Sequence, residues 1–179
     1  MLELSGNFGE LRNNHFHYGF DLKTGGKEGM KILAASEGYV SRIKVGAWGY
    51  GKVLYITHPN GYTSVYGHLS AFNTAIGAYV KKVQYEKESF DIEIYPDSNF
   101  LPVKKGELIA RSGNTGLSGA PHLHFEIRDT KTEEIINPFH FGITISDTVK
   151  PELVTLAVYP LDDNALVNGK QAPKFIPIL

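Results

Sequence analysis

"KVLYITHPNGYTSVYGHLS", residues 52 to 70, holds two runs rich in Val, Ile, Thr and Tyr on either side of Pro59-Asn60-Gly61. Asn-Gly between two such runs is among the strongest short-range signals for a β-hairpin, because both residues accept the positive φ that a tight hairpin turn needs. The elements on each side read the same way. Upstream, "KILAAS" and "GYVSRIKV" are two short strands parted by a Glu37-Gly38 turn. Downstream, "GELIARSG" and "HLHFEIRD" are further strands, joined by the glycine-rich "SGNTGLSGAP". That loop lacks the glycine spacing and the Lys-Ser or Lys-Thr of a phosphate loop, and reads instead as a place where backbone passes close to a site. Nineteen glycines and almost no helical periodicity point to an antiparallel all-β fold with many tight turns.

Composition bounds the function. The chain has 179 residues, 42% hydrophobic and 21% charged, enough for one sizeable core and a small appendage. A formal net charge of −1 gives no basic field for nucleic acid or an anionic membrane surface. No apolar run reaches the length of a transmembrane helix, so no membrane insertion is expected. The opening "LELSGNFGELRNN" reads as folded protein rather than a leader, as expected of a piece of a longer protein, and says nothing about location. With no cysteine, neither a thiolate metal site nor a disulfide framework is open to it.

Chemistry concentrates in the histidines. "HFHYGFDLKT", residues 15 to 24, alternates with the period of a strand, and its polar parity is His15, His17, Gly19 and Asp21. Residues four apart on a straight strand stand about 13 Å from each other at Cα, too far to share one ion with bonds of about 2 Å. The strand must bend between His17 and Asp21, and Gly19 is where a bend is cheapest. In "HLHFEI", His122, His124 and Glu126 share one strand face, with the two imidazoles about 7 Å apart at Cα. His68 follows Gly67 at the end of the second hairpin strand. His15 is a rival ligand or a rim residue, and His58 is better suited to capping its turn. His140 has no nameable partner. Glu126 suits either orienting a ligand histidine or an exposed strand end.

The set "HYGFD", "YGHLS" and "SGNTGLSGAPHLHFEIR" resembles the LytM/lysostaphin-type zinc endopeptidases, which cut the peptide part of bacterial peptidoglycan. The resemblance covers roughly residues 5 to 140, and dispersed motifs in the right order are more specific than any one alone. It implies an antiparallel β fold with a substrate groove, a Zn2+ cofactor, a peptidoglycan peptide as substrate, and action in the periplasm, cell envelope or extracellular space. It implies His17, Asp21 and His124 as metal ligands, and His122 and His68 as the catalytic pair. His122 is then the general base towards the attacking water at the metal, and His68 helps to stabilise the oxyanion.

Two other classes stay open on the residues alone. A non-catalytic LytM-like domain would bind or activate cell-wall hydrolases, although every ligand position is intact here. "VKKGELIA" is similar to biotinyl and lipoyl carrier domains, but the Asn60-Gly61 hairpin tip has no lysine. Residues 83–102 read as an insertion within a turn begun by Val80-Lys81-Lys82 and completed by Val103-Lys104-Lys105-Gly106. The alternation in "SFDIEIYPD" predicts a protruding hairpin there, which would either wall the groove and bias substrate choice or decorate the surface, where charge on an exposed edge strand protects against aggregation. The boundary of the zinc peptidase domain is expected between Phe141 and Asp147. That gives a domain of residues 1–142, followed by 143–179 as the start of a second β-domain or a packed β-rich tail.

Overall fold

The computed structural model describes residues 2–13, 15–145, 150 and 152–178. In chain order the elements begin with β1 (Leu4–Gly6), β2 (Phe20–Lys23), β3 (Lys31–Leu33), β4 (Gly38–Val45), β5 (Lys52–Thr57), β6 (Tyr62–Gly67) and β7 (Ala71–Phe72). Helix α1 (Thr74–Glu86) follows, then β8 (Ile92–Ile94), β9 (Pro102–Val103), β10 (Leu108–Arg111), β11 (His122–Asp129) and β12 (Ile135–Ile136). A 3-10 turn at Pro138–Phe141 precedes β13 (Thr155–Val158) and β14 (Lys174–Pro177).

The fold is antiparallel β. Nine strands form one sheet in the order β1-β2-β11-β6-β5-β4-β8, with β12 beside β11 and β9 beside β4. The hairpin of β5 and β6 is at its centre, with Leu54 opposite Tyr66 and Thr57 opposite Thr63. His58 and Gly61 close its turn, where Gly61 has φ +86° and donates to the His58 carbonyl at 3.2 Å. A three-stranded sheet, β3-β10-β7, is separate. One face of the large sheet packs Val40, Ile43, Leu54, Ile56, Tyr66, Leu123, Phe125 and Ile127 into a core with Ile32 and Ile109 of the small sheet. Side-chain alternation then sends His122, His124, Glu126 and Arg128 of β11 to the opposite face.

Two local expectations are corrected. The chain does contain a helix, capped by Asn73, whose side chain accepts from the Ile76 N–H at 2.9 Å. It buries Ile76, Val80 and Val83, a spacing of four and three residues that fits one helical face. "SFDIEIYPD" is not a protruding hairpin. Its Ile92–Ile94 is a single strand on the edge of β4, because Ile92 and Ile94 extend the core while Glu93 pairs with Arg42 and Lys44.

The chain divides into two compact units, Met1–Ser146 and Asp147–Leu179. In the second, β13 and β14 pair antiparallel, with Leu156 opposite Ile176. The expected boundary region ends on residues 146–147, which lie outside the described residues.

Candidate metal centre and its surroundings

Three neighbouring strands, β2, β11 and β6, bring the predicted residues together although more than a hundred positions separate some of them. Asp21 is opposite His124 across β2 and β11, and His124 is opposite Gly67 across β11 and β6, so His68 follows at the sheet's rim. His17 lies outside any strand, since the extended conformation gives way to a bend at Gly19. The bend carries the His17 Nε2 to 3.1 Å from the Asp21 Oδ1. Gly19 serves a second purpose, because a Cβ there would stand 2.1 Å from the Phe125 carbonyl oxygen.

His17, Asp21 and His124 are all buried, and one potential ligand atom from each lies within 4.8 Å of the others. The His124 Nδ1 is 3.0 Å from the Asp21 Oδ1 and 3.1 Å from the His17 Nε2. The outer side of every group is already committed. The His17 Nδ1–H donates to the Asn7 carbonyl at 2.8 Å, and the His124 Nε2–H donates to the Glu126 Oε1 at 2.8 Å. Arg12 donates to the other Asp21 oxygen, Oδ2, at 2.8 Å. A carbonyl or carboxylate oxygen can only accept from these imidazoles, so each ring in its neutral form presents a lone pair inward. Two such nitrogens and a carboxylate oxygen facing one another at about 3 Å repel unless a cation lies among them. Two histidines and a carboxylate suit Zn2+ with a coordination position left open.

Glu126 is fully buried rather than an exposed strand end. It takes hydrogen bonds from His124, Tyr50 and Arg128, and the Tyr50 ring stacks on the His124 ring at 4.9 Å. Burial alone would raise its carboxyl, yet His124 and Arg128 bring it below the usual glutamate range. Burial also opposes ionisation of Asp21, but the close approach of the His122, His124 and His17 rings outweighs it and holds the carboxyl far below the usual range.

The two remaining histidines flank this cluster. The rings of His68 and His122 are 4.7 Å apart, and the His122 Nε2 is 3.3 Å from the Asp21 Oδ1. The His122 Nδ1 is 2.8 Å from the Ala120 carbonyl, and the His68 Nδ1 is 2.7 Å from the Thr115 carbonyl. The glycine-rich loop supplies Thr115, and Gly116 at φ +75° packs where a Cβ would meet the Gly49 carbonyl oxygen at 2.3 Å. His68 itself has φ +58°, a conformation that strains a non-glycine residue and clusters at functional sites. Burial lowers its pKa to about 4, so the ring is neutral at pH 7. With Nδ1–H tied to a carbonyl, neutral His68 offers the site a lone pair instead of the N–H that an oxyanion partner needs.

His15 lies on the rim of a cavity of about 570 Å³ that also reaches His17, Asp21, His68, His122 and His124. His58 is apart from it, bonded to the Glu37 carbonyl and the Ser64 hydroxyl, a turn-fixing role. His140 is exposed on the 3-10 turn. Sequence reasoning missed Arg12 and Tyr50. Arg12 is a lone cation in "ELRNN" with no periodic signal, and Tyr50 was visible only as part of "GYGKVLY".

Comparison with known proteins places the chain in a family. The model of Peptidase family M23 matches residues 15–85 and 100–138, leaving most of the expected insertion unmatched. An uncharacterized metalloprotease of Haemophilus influenzae is 34% identical over 110 residues, 62% of this chain and 18% of that protein. The DD-carboxypeptidase/endopeptidase Mpg of Neisseria meningitidis is 27% identical over 157 residues, 88% of this chain and 30% of that protein. The chain thus spans under a third of the length of these relatives. Among solved structures, the catalytic domain of the antimicrobial peptidase lysostaphin from Staphylococcus simulans superposes with a TM-score of 0.58 at 25% identity, covering 78% of this chain and 91% of that one.

Proposed function

We infer that this chain, which belongs to peptidase family M23, is a metallopeptidase of the LytM/lysostaphin type with Zn2+ as its cofactor. On that premise we propose that it is an endopeptidase that hydrolyses peptide bonds in peptidoglycan, acting in the cell envelope, periplasm or extracellular space. The names of its relatives support the substrate, since lysostaphin and a DD-carboxypeptidase/endopeptidase are among them. The single observation that carries the reading is the convergence of three proton-free ligand atoms, His17 Nε2, His124 Nδ1 and Asp21 Oδ1, each fixed from behind by another group. These three residues would hold the metal. When bound, Zn2+ supplies Lewis-acid polarisation of oxygen and positive charge against a developing oxyanion.

The chain's own groups handle the protons. Ala120 and Thr115 carbonyls fix the Nδ1–H of His122 and His68, so each ring presents Nε2 to the cavity as an acceptor. His122, nearer to Asp21, accepts the proton of the attacking water and returns it to the leaving amine. Neutral His68 orients that water or shares the proton, which replaces the oxyanion-donor role expected of it. Tyr50, stacked on His124, and the buried Glu126 keep the ligand ring from turning.

The test is zinc content and release of new amino termini from purified sacculi, on the same preparations of three variants. His124→Ala should lose both metal and activity. His122→Ala and His68→Ala should keep zinc and lose roughly 10²- to 10⁴-fold in rate, the usual worth of a positioned acid–base group. Inverted metal contents would reverse the assignment of the H-x-H pair. Zinc binding by the parent chain without any hydrolysis would favour a non-catalytic wall-binding domain.

A further inference from the structure

A second cavity, of about 530 Å³, adjoins the metal centre on the side away from Tyr50 and His68. It shares Arg12, Asp21, Gly119 and His122 with the first. Its charged lining is two cations, Arg12 and Lys23, and one acid, Asp21. Asp21 is spoken for, with Oδ2 on Arg12 and Oδ1 among the imidazoles. The cavity therefore presents net positive charge to anything that enters it.

The sheet determines where that charge lies. Asp21 and Lys23 are two residues apart on one face of β2, a step of about 7 Å. In the antiparallel register Lys23 is directly opposite His122, as Asp21 is opposite His124. A cation thus stands across the ladder from the histidine that returns the proton to the leaving amine. Gly25 and Gly26 leave the outer wall without side chains, and the Thr24 hydroxyl ties it to the Pro121 carbonyl at 3.0 Å.

Lys23 is loosely held, and Arg12, though anchored on Asp21 through Nη2, has capacity to spare. Among the described residues Lys23 forms an ion pair only with the exposed Glu3, at 3.5 Å, and Glu10 lies 3.7 Å from the Arg12 guanidinium. Exposed pairs of this kind contribute little and yield readily to a competing anion. Arg12 uses Nη2 on Asp21 and keeps further N–H groups of its planar fork.

We propose that Arg12 and Lys23 form a carboxylate subsite, so that the substrate carries a free carboxylate on the residue whose nitrogen leaves. The proposal rests on the peptidase reading above and deepens it by naming the charge of the leaving group. Two kinds of residue have that chemistry: a C-terminal residue, or one joined through its side-chain amine with its α-carboxylate free. An uncharged cross-bridge would be cut poorly.

The test uses two pairs of synthetic peptides with the zinc-loaded chain. One pair is an N-acetylated peptide ending in D-Ala-D-Ala and its C-terminal amide. The other has D-Ala on the side-chain amine of an amino acid whose α-carboxyl is free or amidated. In at least one pair the acid should exceed the amide in kcat/KM by about tenfold, the worth of one charge-assisted contact, and the pair that responds identifies the source. The preference should collapse in Lys23→Ala, return in Lys23→Arg, and weaken as salt rises. Lys23 is chosen because it is exposed and the side-chain ion pair it makes is with Glu3, outside the metal centre. Equal rates for acid and amide in both pairs, or a preference untouched by Lys23→Ala, would overturn the subsite. Absence of any hydrolysis would instead count against the peptidase reading, and equilibrium binding of the same peptides then decides the subsite. Tighter acid binding that depends on Lys23 supports it, and equal affinities overturn it.

Discussion

Gly19 shows how much a single residue decides. It bends the chain so that His17 and Asp21 reach one point, and it lets β11 pass where a Cβ would stand 2.1 Å from the Phe125 oxygen and 2.9 Å from the Glu126 Cγ. Gly19→Ala should therefore shift the strand that holds His124. We expect a loss of about 1–3 kcal/mol, typical of forced overpacking, together with weakened zinc binding. Denaturation midpoints and zinc titration of the purified variant check this, and unchanged values for both would refute it. His68 makes a prediction about pH. Its folded pKa of about 4 lies below its ordinary 6.5, so between those values the unfolded chain binds a proton that the folded chain does not. The stability tied to its neutral form is complete above pH 6.5 and drains away as pH falls towards 4, by up to about 3 kcal/mol. Urea midpoints in EDTA should show the parent chain losing ground to His68→Gln between pH 7.5 and 4.5. A constant difference between the two would show that burial of this ring is not the cause.

At the scale of elements, the most regular segments were the most legible. The Asn60-Gly61 hairpin became β5 and β6, and "HLHFEIRD" became β11 over its whole length, because alternation with a core face admits one register only. Helix α1 was not read from the sequence. Gly77 and the β-branched Thr74, Ile76, Val80 and Val83 weaken its propensity, so its stability comes from burying one face and from its cap. Asn73 both accepts from the Ile76 N–H and donates to the Leu108 carbonyl at 3.1 Å. Asn73→Ala should cost about 1 kcal/mol, a typical loss for an N-cap, read as a lower urea midpoint with the zinc content intact. A midpoint unchanged within error would mean that packing alone holds the helix start. Strand β8 was misread for a related reason. Its alternation was seen, but a single edge strand and one arm of a hairpin have the same sequence pattern.

At the scale of the whole molecule, the buried hydrophobic core side chains among the described residues fall between Phe20 and Ile127, within the first compact unit. We propose that this unit is an autonomous domain. A chain ending at residue 145 should keep its cooperative thermal transition and its zinc stoichiometry, measured by calorimetry and metal analysis. Loss of the transition would mean that residues beyond 145 complete the fold. By itself the sequence determined the antiparallel β class, the family and the set of residues from which a metal centre could be built. It did so because strand alternation, the hairpin turn and the histidine motifs are local patterns. Only the tertiary structure decided that β3 and β4, neighbours in the chain, belong to different sheets, and that Arg12, Tyr50, Thr115 and Glu126 close around the histidines. It also decided that His68 faces the cavity as an acceptor. These outcomes depend on which strands lie side by side and on which carbonyl meets which ring nitrogen. Such contacts join residues as far apart as 107 positions, and no local pattern encodes them.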